Sequence, residues 1–524
     1  MLIQRMSNSH KSVYLCVCLC AVTVFYLICH LFILMNPSYS HDALLVVSET
    51  DNAHQIALGR FLQPIYRALR GNVTAPWLLG LLSIVLLTLA AYVMLRTLEI
   101  RSVPAVILSA GFFTTNTTVT FSNATFLPWI DVYALALLLA ALAAFLAART
   151  RYGFLPGALC LFCSLGLYQS FSTVTIGIIM LLTLRLIFTK AGFKAVRNTI
   201  LLGMLTVALG FVLYLAGTYL ANFVVPASDA YNGLSNVKES FLQRDTADAF
   251  VETYRTFFHE IGSVIADRKL VSRIVLLLVS AISVGALWKL TKKQRMSVPW
   301  VLFSVAVICL LPFGLNINYF ISGKAVYHSL MNYGCFLIYL LPILLCDLCW
   351  ACGRQGGEAQ ETACAGTRRW WKPHVWLAVC LGILIFNNIV FANAIYTKKY
   401  LQASATLSVM TRVVDRIEAV EGFVPGETPI AIVGSLNESS LLPQTSEFDG
   451  YTGVGIEANS FAVTYRETYL QYLRYILRYP VPEITEEEEN RLKETSQVAG
   501  MPAFPAAGCC ELVDGYLVVK LSEY

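Results

Sequence analysis

Charge is scarce in this chain. Asp, Glu, Lys and Arg together make up 14% of its 524 residues, against about a quarter in a soluble globular domain. Hydrophobic residues make up 57%, a balance that excludes a soluble enzyme and points to a polytopic membrane protein. The formal net charge is only +5, and the basic residues are scattered between apolar runs, so no stripe for nucleic acid is expected. An internal repeat, common in secondary transporters, is missing. The first apolar run has no clean small-residue cleavage site and is too long for a signal peptide, so it reads as a retained anchor. Cysteine is not lacking, but most of the 15 cysteines lie in apolar runs, where they act as small apolar residues. Cys346, Cys349 and Cys352 have a metal-like spacing, yet they continue a hydrophobic helix and have no second ligand pair beyond Cys364, so no metal site is expected.

What the chain has is a succession of runs long enough to cross a bilayer as helices, which takes roughly 17 to 25 residues. Spans are expected near 13–35, 77–95, 103–119, 128–148, 153–167, 172–188, 199–224, 271–288, 298–313, 330–350 and 374–394. The fifth and sixth share a polar joint at Leu167, Tyr168, Gln169 and Ser170. Lys and Arg concentrate in the connections 96–101, 149–151, 190–197, 289–295 and 354–372, which by the positive-inside rule are cytoplasmic. The N-terminus is then inside, and the loops 36–75, 225–270 and 314–329 and the tail are outside. The expected protein is an all-α polytopic membrane protein of about eleven transmembrane helices, in the cytoplasmic membrane of a cell. A transmembrane domain over 1–395 is followed by a small extracytoplasmic α/β domain over 396–524.

Within that tail, Pro429–Gly434 and Gly515–Leu521 read as buried strands. Residues 407–420 have the spacing of a helix through Met410, Val413, Val414 and Ile417. Further helices are expected over 464–479 and from Glu486.

Three outward-facing places carry polar residues that an anchor does not need. The first loop holds Asp42, Glu49, Asp51 and His54, then Gly59 and Arg60, and its residues 54–70 read as an amphipathic helix lying in the interface. Asp131 follows Pro128 and Trp129 at the outer end of a span, and a carboxylate at that depth is by default a functional candidate; a plain helix N-terminal carboxylate is the competing reading. The third place comprises Tyr168 and Gln169 with Asn316, Asn318, Tyr319, Lys324, Tyr327 and His328. Satisfaction of backbone groups in broken helices is the competing reading for its amides.

On these residues the chain resembles a membrane glycosyltransferase of the GT-C type, and more narrowly the Gtr-type serotype-conversion glucosyltransferases that decorate bacterial O-antigen. The resemblance is carried by His41–Asp42, Gly59–Arg60–Phe61–Leu62, Leu127–Pro128–Trp129–Ile130–Asp131, Tyr168–Gln169–Ser170, Met501–Pro502–Ala503–Phe504–Pro505 and the Asp514–Leu521 run. The family's first loop usually has a pair of acidic residues. Here His41 stands where the first would be, which leaves Asp42. The resemblance implies transfer of a glucosyl or related unit from a polyprenyl phosphate sugar to a lipid-linked or envelope glycan on the outer face of the membrane. It also implies partner proteins that make and flip the donor.

Inverting transfer needs a base for the acceptor hydroxyl, for which Asp42 is the candidate and Glu49 or Asp51 the substitutes. The lipid phosphate leaving group needs fixed positive charge, for which Arg60 and Lys324 lead, with Arg255 and His259 behind them. Asp131, Gln169, Tyr168 and His328 are the candidates for holding sugar hydroxyls or for orienting Arg60. No cofactor is demanded; Asp42, Glu49 and Asp51 hold a divalent cation only if they converge. A transporter or flippase of lipid-linked saccharides, a structural assembly factor, and a mannosyl- or arabinosyltransferase are the alternatives.

Overall fold

The computed structural model describes residues 2–45, 52–225, 242–262, 269–323, 327–354, 373–438, 441, 448, 450–457, 459–482 and 484–523. Among them, eight helices are long and apolar enough to cross a membrane: Ser12–Met35, Pro76–Thr97, Leu127–Arg149, Gln169–Phe188, Phe193–Val224, Leu270–Lys293, Val298–Leu315 and His374–Glu418. The other three expected spans are present as shorter helical stretches. Val103–Thr115 ends where Asn116 leaves helical geometry, and its side chain bonds back to the Phe112 carbonyl at 2.9 Å. Phe154–Leu167 and Tyr333–Cys349 are the other two.

The chain forms two compact units, one of Met1–Leu31, Asp51–Ser122 and Trp129–Ala392, the other of Phe32–Thr50, Asn123–Pro128 and Asn393–Tyr524. In the first, small residues let helices approach closely, as membrane helices require in the absence of a hydrophobic drive between them. The helix Ile130–Arg149 buries Ala136, Ala140, Ala143, Ala144 and Ala147. Hydroxyls reach its backbone across this seam, Ser164 Oγ donating to the Ala136 carbonyl at 2.7 Å and Thr175 Oγ1 to that of Ala140 at 2.8 Å.

The second unit is built on a three-stranded sheet of β1 (Ile430–Val433), β2 (Cys510–Val513) and β3 (Tyr516–Lys520), in the order β1-β3-β2. β1 runs parallel to β3, with Ile430 opposite Leu517, and β2 pairs antiparallel. β1 is apolar at every position because both faces are covered. Ile430, Ile432, Leu517 and Val519 pack with Val409, Met410, Val413 and Ile417 on one side, and Ala431, Val433 and Val518 pack with Leu492, Val498 and Met501 on the other. The helical residues on the first side belong to one continuous helix, Pro373–Glu418, of 46 residues.

The Glu486–Lys493 helix starts at a capping box in which Thr485 and Glu488 exchange hydrogen bonds. It carries a fully buried Glu489, whose carboxylate takes Arg466 Nε at 2.7 Å. Glu489 also takes Lys493 Nζ at 3.1 Å; its loss takes a partner from both cations, although Arg466 keeps Glu467 at 3.3 Å and the Ile484 carbonyl at 2.6 Å, so the cost falls below the roughly 3–5 kcal/mol of a fully stranded charge. Glu489→Ala is therefore expected to lower the temperature at which the tail becomes trypsin-sensitive in membranes. An unchanged cleavage profile would show that Arg466 does not need this partner.

Candidate functional site

Residues 52–71 of the first loop fold as two short helices, Asn52–Ala57 and Leu62–Arg70, joined by a turn through Leu58, Gly59 and Arg60. Gly59 closes the first helix with φ +77°, a left-handed conformation that favours glycine. A Cβ there would also collide with Tyr214 Oη and Gln169 Nε2. Gln169 is the reason for the close approach: its Nε2 donates to the Leu58 carbonyl at 2.7 Å and to Tyr214 Oη at 2.9 Å. The polar joint read in the sequence thus fastens the Gly59–Arg60 turn. Arg60 leaves that turn with its guanidinium over the Tyr168 ring, 5.0 Å from the centroid, and its Nε buried without a partner among the described residues.

The following helix is amphipathic, but its polar face is the buried one. Gln63 and Arg67 are buried, whereas Ile65 and Leu69 are 57% and 83% exposed. Polar groups turned inward find partners there, and apolar ones turned outward suit a lipid environment. Gln63 Nε2 donates to the Leu167 carbonyl at 2.7 Å. Arg70 Nη1 donates to Asp131 Oδ1 at 2.6 Å, and Tyr66 Oη to Asp131 Oδ2 at 3.0 Å. Burial, reinforced by Asp131, pushes the Tyr66 phenol up, so it stays a donor.

Arg67 differs from its neighbours. It is 2% exposed, its guanidinium lies 5.8 Å from the centroid of the Trp129 ring, and its Nε and Nη1 are buried without hydrogen-bond partners among the described residues. Burial, with the Arg70 charge adding and Asp131 opposing, holds it down to about 10, so it remains a cation at neutral pH. A buried guanidinium with unused donors can accept an anion, and its planar fork matches phosphate geometry. Arg67 is not among the residues that the sequence alone singles out. The signal was the spacing of Arg60, Gln63, Arg67 and Arg70, which shares one helical face.

Asp42 lies in the second unit, at the start of the Asp42–Leu45 helix. His41 Nδ1 lies 2.7 Å from Asp42 Oδ1, and Tyr465 Oη donates to the same oxygen at 3.5 Å. Burial and the Asp42 charge push the Tyr465 phenol up, keeping its proton available. The Asp42 side chain is 40% exposed, so a substrate hydroxyl can reach it. Beneath this cluster, buried Lys399 donates to Ser40 Oγ while Ser38 Oγ donates to the Lys399 carbonyl at 3.1 Å. Lys398 Nζ donates to the carbonyls of Tyr451 at 3.0 Å and Glu457 at 2.5 Å.

Of the remaining candidates, Arg255 is exposed and pairs with Glu252, and His259, also exposed, sits beside Glu260. His328 precedes the short turn Ser329–Met331, and its carbonyl accepts from the Met331 N–H at 2.9 Å. Glu49, Asp51 and Lys324 lie outside the described residues.

The family described as Glucosyl transferase GtrII matches residues 31–340, more than half of the chain. No curated protein and no solved structure matches it. The matched stretch contains Asp42, Arg60, Arg67, Asp131 and Gln169.

Gly59→Ala forces both a left-handed alanine and a clash with Tyr214, and strain of this kind is worth about 1–3 kcal/mol. The expected result is a turn displaced from Gln169, with lower thermal stability. A variant as stable as the parent would show that the Gln169 clamp is dispensable.

Proposed function

The chain belongs to the GtrII glucosyltransferase family, and on that premise we propose an inverting membrane glycosyltransferase of GT-C type. It moves a glucosyl or related unit from a polyprenyl phosphate sugar to an envelope glycan such as O-antigen, on the outer face of the cytoplasmic membrane. The observation that carries this reading is Arg67, a buried cation with two unused donors on a helix whose opposite face is apolar. A phosphate attached to a lipid tail asks for both. In this orientation the N-terminus is cytoplasmic and the tail extracytoplasmic, and donor-making and donor-flipping proteins supply the substrate.

Chemically, the bond between the anomeric carbon and the phosphate oxygen breaks, and the phosphate keeps the electron pair. The acceptor oxygen attacks the opposite face of the sugar, and its proton passes to a carboxylate. Asp42 takes that proton, with His41 and Tyr465 orienting it; Glu49 and Asp51 are the substitutes in the same loop. Arg67 and Arg60 neutralise the charge that develops on the leaving phosphate, and Lys324 adds a further cation. Arg70 is engaged by Asp131 and so positions the helix. Positive charge from these side chains does the work often given to a metal ion.

The test supplies purified protein in lipid nanodiscs with polyprenyl phosphate glucose and an O-antigen acceptor. Arg67→Ala is expected to lower kcat/KM about 100- to 1,000-fold, with Arg67→Lys only partly restoring it because an ammonium lacks the fork. Asp42→Asn is expected to lower kcat about 100- to 10,000-fold while donor binding persists. Undiminished donor use by Arg67→Ala would remove the phosphate assignment, and continued transfer by Asp42→Asn would remove the base. Movement of the lipid across vesicles without transfer would make the chain a carrier.

A further inference from the structure

We propose that Glu260 and Asn332, in the first unit, form a subsite for the hydroxyls of a sugar ring; the inference rests on the glycosyltransferase reading above. Glu260 lies near the end of the Thr246–Gly262 helix with 23% of its side chain open to the surface. Asn332 is fully buried, and its Nδ2 donates to Glu260 Oε2 at 2.5 Å. Its Oδ1 is buried without a hydrogen-bond partner among the described residues. Leaving such an acceptor unpaired carries a desolvation penalty that a donating ligand removes. Beside an acceptor-only carboxylate, the ligand that fits is one offering neighbouring hydroxyls. Burial pushes the Glu260 carboxyl up, with His259 and Asn332 opposing, and a ligand hydroxyl donating to it would act in the same sense as Asn332, stabilising the ionised form.

The surroundings have the same chemistry. Tyr327 and Tyr319 meet edge to face at 5.0 Å, and Tyr327 Oη donates to Asn316 Oδ1 at 2.6 Å. The subsite is also tied to the arginine turn through three consecutive residues. Gln169 clamps Leu58, the Ser170 carbonyl accepts Asn318 Nδ2 at 2.9 Å, and Phe171 meets Tyr333 edge to face at 5.5 Å. Asn318 Nδ2 also reaches the Met331 carbonyl at 3.3 Å, so the residues on both sides of Asn332 are fixed from the joint that fixes Arg60. A site built to hydrogen-bond hydroxyls discriminates strongly against ligands that lack them.

The sugar is that of the donor or that of the acceptor, and one experiment separates these. Binding of polyprenyl phosphate glucose and of bare polyprenyl phosphate is measured on the full-length protein in nanodiscs, together with the acceptor KM. For a donor subsite, the wild type prefers the glucosylated lipid at least tenfold; Glu260→Gln and Asn332→Ala erase the preference and leave affinity for the bare lipid intact. For an acceptor subsite, the lipid preference stays and the acceptor KM rises at least tenfold. A merely structural role would weaken both lipids alike and leave their ratio unchanged, which would overturn the proposal, as would variants that change neither quantity. Arg67→Ala in the same assay reads the phosphate site separately, because it should weaken both lipids without altering their ratio. Unchanged lipid binding by Arg67→Ala would therefore sink the phosphate assignment and leave the Glu260 comparison readable.

Discussion

The arrangement of the first unit's polar residues depends on a carboxylate with no exposure at all. Asp131 is buried at the start of the helix Ile130–Arg149, and Arg70 and Tyr66 reach it from Leu62–Arg70. An ionised carboxylate cannot remain in such a place unpaired. Once Arg70 and Tyr66 are committed to it, the orientation of their helix is set, and Gln63 and Arg67 turn inward with them. Arg67 is buried as a consequence of its neighbours' ion pair, with the Trp129 ring and the Asp131 charge for company but no hydrogen-bond partner for its Nε and Nη1 among the described residues. Its unused donors are the surplus from which the proposed chemistry begins.

The second determinant is the break between Phe154–Leu167 and Ser172–Phe188. A continuous helix would have consumed its own backbone groups. The interruption at Tyr168–Phe171 instead frees side chains and carbonyls to hold other segments, among them the Gly59 turn through Gln169 and the 331–333 stretch through Ser170 and Phe171. Irregular backbone at membrane depth is tolerated where it is buried in protein, and here it organises two polar clusters.

Much of this was legible in the sequence, for physical reasons that differ by element. Long apolar helices such as Leu127–Arg149 and Phe193–Val224 announce themselves by hydropathy over a bilayer's width. β1 and β3 were visible as short apolar runs bounded by turn residues, whereas β2 was not: Cys510–Val513 is four residues with a glutamate in it, and only pairing with β3 makes it a strand. The 407–420 helix was expected, but its fusion with the preceding span into Pro373–Glu418 was not, although no Gly or Pro interrupts residues 383–418. The reading of 54–70 as one interfacial helix missed the glycine break and the sense of the amphipathicity, because periodicity reports that a helix has two faces and not which is covered. For the same reason Arg67 looked like any loop arginine: charge is written in the sequence, and desolvation is not.

The outward side chains of Leu62–Arg70 have a practical corollary. Ile65 and Leu69 are largely open, so a surrounding amphiphile that covers them would help to keep this short segment seated on its arginine side. An extraction agent that wets that surface poorly, or competes for it, would loosen the guanidinium cradle before it melted the long helices around it. Preparations that look intact by helical content can therefore differ in how this segment is seated, according to what replaced the native lipid.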